Sequence, residues 1–127
     1  MLYQGSTPKF LVRILNELNV QLDPSNNAQV TEVLIFIFNA IDNTDIAKFY
    51  LNTSLGTGWS AATINTVATG DKRVQFILTA AQTAAAMGNR NKIQLTITLP
   101  DTGGYLNNKK IIIKQGLFFE INPAKTI

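Results

Sequence analysis

The residues that could do chemistry are few and widely spaced. Eight carboxylates, Glu17, Asp23, Glu32, Asp42, Asp45, Asp71, Asp101 and Glu120, are the only acids, and the chain contains no cysteine and no histidine. Without histidine the commonest general base and the commonest zinc ligand are missing. Without cysteine there is no thiol nucleophile, thiolate metal site or disulfide. The four serines, Ser6, Ser25, Ser54 and Ser60, therefore lack a histidine to activate them, and no motif supports a Ser-Lys pair. Most of the acids stand among Asn, Gly, Ser and Pro, where Asp caps a turn. Glu32, in a strand, fits an outward carboxylate paired with a lysine. Asp42, Asn43 and Asp45 suggest a calcium loop but lack the Gly and distal Glu of an EF-hand. Gly56 and Gly58 form a GxG with no strand-to-helix context, so a phosphate-binding loop is not expected. Two options remain. One is a carboxylate pair acting on a glycosidic bond, for which so small a sandwich leaves little cleft. The other is a platform of Tyr50, Trp59 and Tyr105 that could stack on a sugar. No catalytic, cofactor or metal residue is assigned.

Composition bounds the partners. A chain of 127 residues fits one domain, 1–127, and can bury a real core. With 15% charged residues, below the usual ~25%, its surface must be covered largely by Thr, Asn, Gln and Ser, a habit of extracellular and viral β proteins. The net charge of +3 comes from scattered lysines and arginines with no dense basic run, which argues against nucleic acid as partner. No basic segment followed by an apolar run opens the chain, and no stretch approaches 18 uninterrupted apolar residues, so cytoplasmic synthesis and no membrane partner are expected. Asn52-Thr53-Ser54 matches a glycosylation sequon, discounted for the same reason.

The elements that must position these residues are mostly strands. Residues 1–8 read as a loose N-terminal arm. Phe10, Val12 and Ile14 alternate against Leu11, Arg13 and Leu15, and Leu18, Val20 and Leu22 continue the pattern. Asp23 to Asn27 is a turn cluster. Val30 to Phe38 reads VTEVLIFIF. Its second half is apolar on both faces, which marks a central strand, or one whose outward residues meet a partner chain. Ala40 to Thr44 forms a hairpin-type turn before the strand Ile46 to Leu51. The polar stretch Asn52 to Gly70 is an extended connection with a short strand over 62–67, and Trp59 is expected to plug the end of the core, with an exposed contact residue as the other option.

Arg73 to Pro100 is the most legible stretch. A strand carrying Val74, Phe76 and Leu78 on one face gives way to Thr79-x-x-Gln82, a capping box in which side chain and backbone bond reciprocally. The alanines that follow have the highest helix propensity, and Gly88 closes the helix, near residues 80–87. Two turns would not hold alone, so Leu78 and Met87 are expected to pin it. Ile93, Leu95, Ile97 and Leu99 then alternate with Gln94, Thr96 and Thr98 in a half-buried strand. Beyond the turn at Asp101 to Gly104, Lys109 to Ile121 is a long last strand, with Gly116 as a bulge and Lys109, Lys110 and Lys114 guarding an edge. Residues 122–127 read as a tail. About seven strands with Gly- and Asn-rich turns and one short helix predict an all-β fold, an immunoglobulin-like antiparallel β-sandwich, with a closed barrel as the alternative.

The run ILTAAQTAAAMG followed by KIQLTITLPD, with KFLVRILNE and VTEVLIFIF ahead of it, resembles the N-terminal domain of phage baseplate upper proteins and similar small β-sandwich modules of tailed-phage structural proteins. In that family a strand ends in a Leu-Thr step, a short helix rich in Thr and Ala follows, then a Gly and a closing strand. The connection through Trp59 is longer than in that family, and its receptor-facing parts have no counterpart here, so the resemblance implies attachment rather than direct host binding. The expected function is a non-enzymatic structural protein of a bacteriophage virion, made in the host cytoplasm and placed on a tail, baseplate, collar or capsid. It would assemble as a homo-oligomer with other virion proteins. Expected contacts are Leu2 and Tyr3 of the arm, Trp59, Tyr105, and Lys109, Lys110 and Lys114 of the last strand. The second reading is a carbohydrate- or receptor-binding module, and the third a small carboxylate hydrolase.

Overall fold

The computed structural model describes residues 2–3, 5–15, 20–39, 41–85, 90–100 and 109–122, with Leu2, Tyr3, Arg90 and 109–122 described by backbone alone. Among these, the strands are β1 (Leu2–Tyr3), β2 (Lys9–Val12), β3 (Glu32–Asn39), β4 (Asp45–Leu51), β5 (Ser60–Ala61), β6 (Thr63–Ala68), β7 (Asp71–Ile77), β8 (Arg90–Pro100) and β9 (Lys109–Asn122), with α1 (Ala80–Ala85) between β7 and β8. Seven of the described strands are longer than two residues, which matches the expected number, and among the described residues the fold is all-β apart from this one helix.

The strands form a large sheet in the order β1-β9-β8-β3-β4-β5 and a small one in the order β2-β7-β6. Pairing is antiparallel except at the two flanks of the large sheet, where β1 lies parallel to β9 and β5 parallel to β4. Alternation decides what faces inward, because successive side chains point to opposite faces. Val33, Ile35 and Ile37 of β3 are each 0% exposed, and their row continues into Ala47, Phe49 and Leu51 of β4 and Ile93, Leu95 and Ile97 of β8. The small sheet answers with Val74 and Phe76 of β7, packed with Phe10, Val12 and Ile64. Phe76 is the hub, its ring 5.1 Å from that of Phe10 and 5.2 Å from that of Phe49. The two sheets thus share one core in a sandwich-like arrangement held by packing alone.

Crossings between the sheets follow local chemistry. Ala62 donates its N–H to the Tyr50 carbonyl as the chain leaves β5 for β6, so the large sheet hands over directly to the small one. The turn before β4 has Asn43 at φ 60°, a left-handed value that Asn tolerates, and the Asp42 carboxylate accepts from the Thr44 N–H. Opposite Ile93 the register of β9 gains one residue, since Lys92 faces Phe118 and Gln94 faces Gln115, which is the bulge expected at Gly116.

Three expectations change. Of the pattern over Leu18, Val20 and Leu22, Leu18 lies outside the described residues, and Val20 and Leu22 are not in a strand; this segment has a bridge between Leu15 and Gln21 and a bond from the Leu22 N–H to the Ile14 carbonyl. The capping box forms as expected, with the Thr79 N–H on Gln82 Oε1 at 2.9 Å and the Gln82 N–H on Thr79 Oγ1 at 3.1 Å. The helix is pinned, however, by Thr83, which is 0% exposed, together with the expected Leu78; Met87 lies outside the described residues. Thr83 Oγ1 accepts from the Gly5 N–H at 3.1 Å and donates to the Ser6 carbonyl at 2.9 Å. The arm is therefore not loose: its Gly5–Ser6 segment clasps α1, the Pro8 carbonyl accepts from the Leu78 N–H, and Leu2–Tyr3 joins the large sheet beside β9. The physical reason is that a buried threonine hydroxyl must find partners, and the arm's backbone supplies them.

Candidate functional site

Three features could act on a partner or ligand. The first is a polar node around Asp71, at the start of β7. Its carboxylate accepts from Arg73 at 3.0 and 3.1 Å, from Arg13 at 3.1 Å and from Gln21 Nε2 at 3.0 Å. The Arg73 bonds, followed by that of Gln21, hold the carboxyl well below the ordinary carboxylate range. A group so stabilised as an anion is the opposite of a general acid, and its partners tie β7 to the chain after β2 and to the loop around Gln21. The node is scaffold. Asp23 is likewise lowered, first by the Ser25 hydroxyl, and Asp42 by the Thr44 N–H, so both act as turn caps. Asp42 and Asp45 do line one hollow of about 150 Å³ with Asn39 and Ala85. Among the described residues no three acids stand close enough to hold a metal ion.

The second feature is a groove of about 300 Å³ on the side of the molecule where β5 passes into β6. It is lined by the rings of buried Phe49 and Phe76, by exposed Ile77, and by Ser60, Thr63, Gln75, Thr79 and Gln82. The lining carries hydroxyls and amides and no charge. Two of the amides are engaged locally, Gln75 with Asn65 and Gln82 with Thr79.

The third is the outer face of the large sheet. On β3 the residues between the buried ones, Leu34, Phe36 and Phe38, are only half-buried, although they occupy the centre of the sheet. Register places Tyr50 and Thr96 beside Leu34, Lys48 and Gln94 beside Phe36, and Asp45 and Lys92 beside Phe38. Trp59, just before β5, belongs to this face: its ring meets Phe36 edge-on at 5.3 Å, and Lys48 Nζ stands 5.0 Å from the indole centroid. This corrects the expectation that Trp59 plugs the core. Phe36 points away from the core that Ile35 and Ile37 fill, and the parallel pairing of Ser60 with Phe49 sets Trp59 on the same outward side.

The other expected contacts are dispersed. Leu2 and Tyr3 pair with Ile121 and Asn122, at the far flank from Trp59. Lys109, Lys110 and Lys114 sit on β9 opposite Pro100, Leu99 and Leu95, and no described strand pairs with the outer edge of β9 between Lys109 and Glu120. Tyr105 lies outside the described residues. Of the sugar platform expected from Tyr50, Trp59 and Tyr105, Tyr50 and Trp59 share the outer face of the large sheet, and Lys48 covers one side of the indole. Asn52, the sequon residue, is engaged as well: its amide donates to the Pro24 carbonyl at 2.8 Å and the Val30 carbonyl at 3.0 Å, stapling the loop before β3 to the end of β4. Sequence reasoning missed this staple; its signal was an Asn directly after a strand end, a position that favours left-handed φ, here 62°.

No known protein family, curated protein or solved structure matches the chain.

Proposed function

We propose that this protein is a non-enzymatic structural or assembly protein of a bacteriophage virion, docked on a tail, baseplate, collar or capsid through protein contacts, on an immunoglobulin-like sandwich. The observation that carries the assembly role is the apolar row Leu34, Phe36 and Phe38 on the outward face of the central strand. An antiparallel sheet open to water on one side normally alternates apolar in and polar out, and β3 departs from that over its whole second half. The virion setting draws on the resemblance carried by ILTAAQTAAAMG and KIQLTITLP. The topology reading is supported by strand order: β9-β8-β3-β4 follows the G-F-C-C′ order of variable immunoglobulin domains, and β2-β7-β6 follows B-E-D.

The test is to label the protein within purified particles by gold attached to a C-terminal tag, comparing the natural chain with Phe36→Glu. Regular labelling that Phe36→Glu abolishes while its far-ultraviolet spectrum stays native is the expected result; particles without label would sink the reading. The uncharged groove over Phe49 and Phe76 favours a second reading, binding of a neutral glycan. It requires saturable sugar binding that a bulky substitution such as Thr63→Trp blocks.

A further inference from the structure

We propose that the groove between β5 and β7 takes an extended, uncharged peptide segment of a partner protein, which adds a short strand to β7 at Ile77. The inference is independent of the assembly reading, which rests on the outer face of the large sheet.

Hydrogen-bond phase exposes the edge. Successive residues of a strand direct their N–H and C=O to opposite neighbours. The Leu78 N–H bonds to the Pro8 carbonyl, so Phe76 and Val74 also face the β2 side, opposite Phe10 and Val12, while Gln75 and Ile77 face the β6 side. Gln75 meets Thr63 there, and the ladder stops. Continuing that line past Thr63 would set Ala61 opposite Ile77, but the chain belongs by then to the large sheet, where Ala61 pairs with Tyr50 and the Ala62 N–H bonds to the Tyr50 carbonyl. Ile77, 44% exposed, thus turns a main-chain donor and acceptor toward the groove with no described strand beside them. The other wall repeats the condition. β5 is the last strand of its sheet, and Ala61, alternating with Ala62, points its N–H and C=O away from β4.

The walls select the occupant. Open N–H and C=O groups along a strand edge are met by another main chain in extended form, the way peptides add to sheets. Among the described residues no charged side chain lines the groove, so a charged ligand side chain would be desolvated there without a partner. An uncharged segment carries no such cost. A sugar is served less well: Gln75 and Gln82 are already bonded to Asn65 and Thr79, and the Phe49 and Phe76 rings, in residues 4% and 2% exposed, present no open face for stacking. The volume of about 300 Å³ stands at the lower end of ligand pockets, which suits a contact only a few residues long.

The experiment titrates the isotope-labelled chain with a capped heptapeptide of alternating Thr and Val, read by amide shifts and by fluorescence polarisation of the dye-labelled peptide. Saturable binding that moves the Ile77 and Ala61 amide signals is expected. Ile77→Pro removes the N–H that points into the groove, at a position where no described strand needs it, and should weaken binding roughly tenfold or more while circular dichroism stays native. Ile77→Val should bind as the natural chain does. N-methylating the peptide at every residue probes the same bonds from the ligand's side, on the natural chain, and should also weaken binding roughly tenfold or more. Absence of saturable binding overturns the proposal, as does binding that N-methylation or a folded Ile77→Pro variant leaves unchanged. A neutral oligosaccharide such as maltohexaose that moves these amides where the peptide does not would assign the groove to glycan instead.

Discussion

Single side chains fix the points where strands and loops could otherwise drift. Asp71 serves two arginines and a glutamine, and its carboxyl is held below the ordinary range by those bonds. A group lowered on folding contributes stability that is complete above its unfolded value, about 3.9, and that is lost as pH falls toward its folded value. Thermal melts should accordingly find Asp71→Asn less stable than the natural chain at neutral pH, with the gap closing below about pH 4; a gap that widens in acid would refute the assignment. Thr83 offers a sharper contrast with Thr79. Replacing Thr83 by Val leaves the Gly5 N–H and the Ser6 carbonyl without their partner and should cost about 1–3 kcal/mol in urea denaturation. Thr79→Ala removes an exposed cap and should cost about 1 kcal/mol. Leu78 and the cap were legible in sequence because apolarity and Thr-x-x-Gln are local signals. The Thr83 anchor was not, because its partners lie more than seventy residues away and a threonine among alanines looks like any helix filler.

At the scale of elements, the two faces of β3 differ in burial, one fully buried and one half-buried. Ile35→Ala should cost about 2–5 kcal/mol, since it opens a cavity among fully buried neighbours. Leu34→Ala, one residue away, should cost about 1 kcal/mol or less, since its side chain is only half-buried. Equal losses at the two positions would mean that the outward row is itself core. The strand's existence, its central place and its double apolarity are readable from VTEVLIFIF, and the strands expected at 46–51, about 62–67 and from Arg73 to Leu78 correspond to those found at 45–51, 63–68 and 71–77. The bulge at Gly116 was readable from glycine in a strand interior. Trp59 was misplaced for a physical reason: the sequence carries no mark of the parallel pairing between β5 and β4 that swings it onto the outer face. The arm was misjudged because a two-residue strand leaves no periodicity to detect.

For the molecule as a whole, two sheets without a disulfide depend on the Phe10–Phe76–Phe49 contact between them. Phe76→Ala should cost about 3–5 kcal/mol and melt both sheets together, in one transition seen alike by tryptophan fluorescence and circular dichroism. Folding should be slow for the chain length, in the range of about milliseconds to seconds, since β2 must find β7 and β3 must find β8 across long sequence separations. The parallel pairing of β1 with β9 has a mechanical consequence. Tension applied between the chain before Leu2 and the chain after Asn122 pulls β1 backward and β9 forward along their common axis. Their hydrogen bonds then bear the load in shear, together rather than one after another, and the Gly5–Thr83 clasp stands next in line behind them. A protein built this way resists being drawn out by its ends better than being peeled from the side, and a pulling experiment should find a higher rupture force along the termini than through a handle in the loop at Gly70.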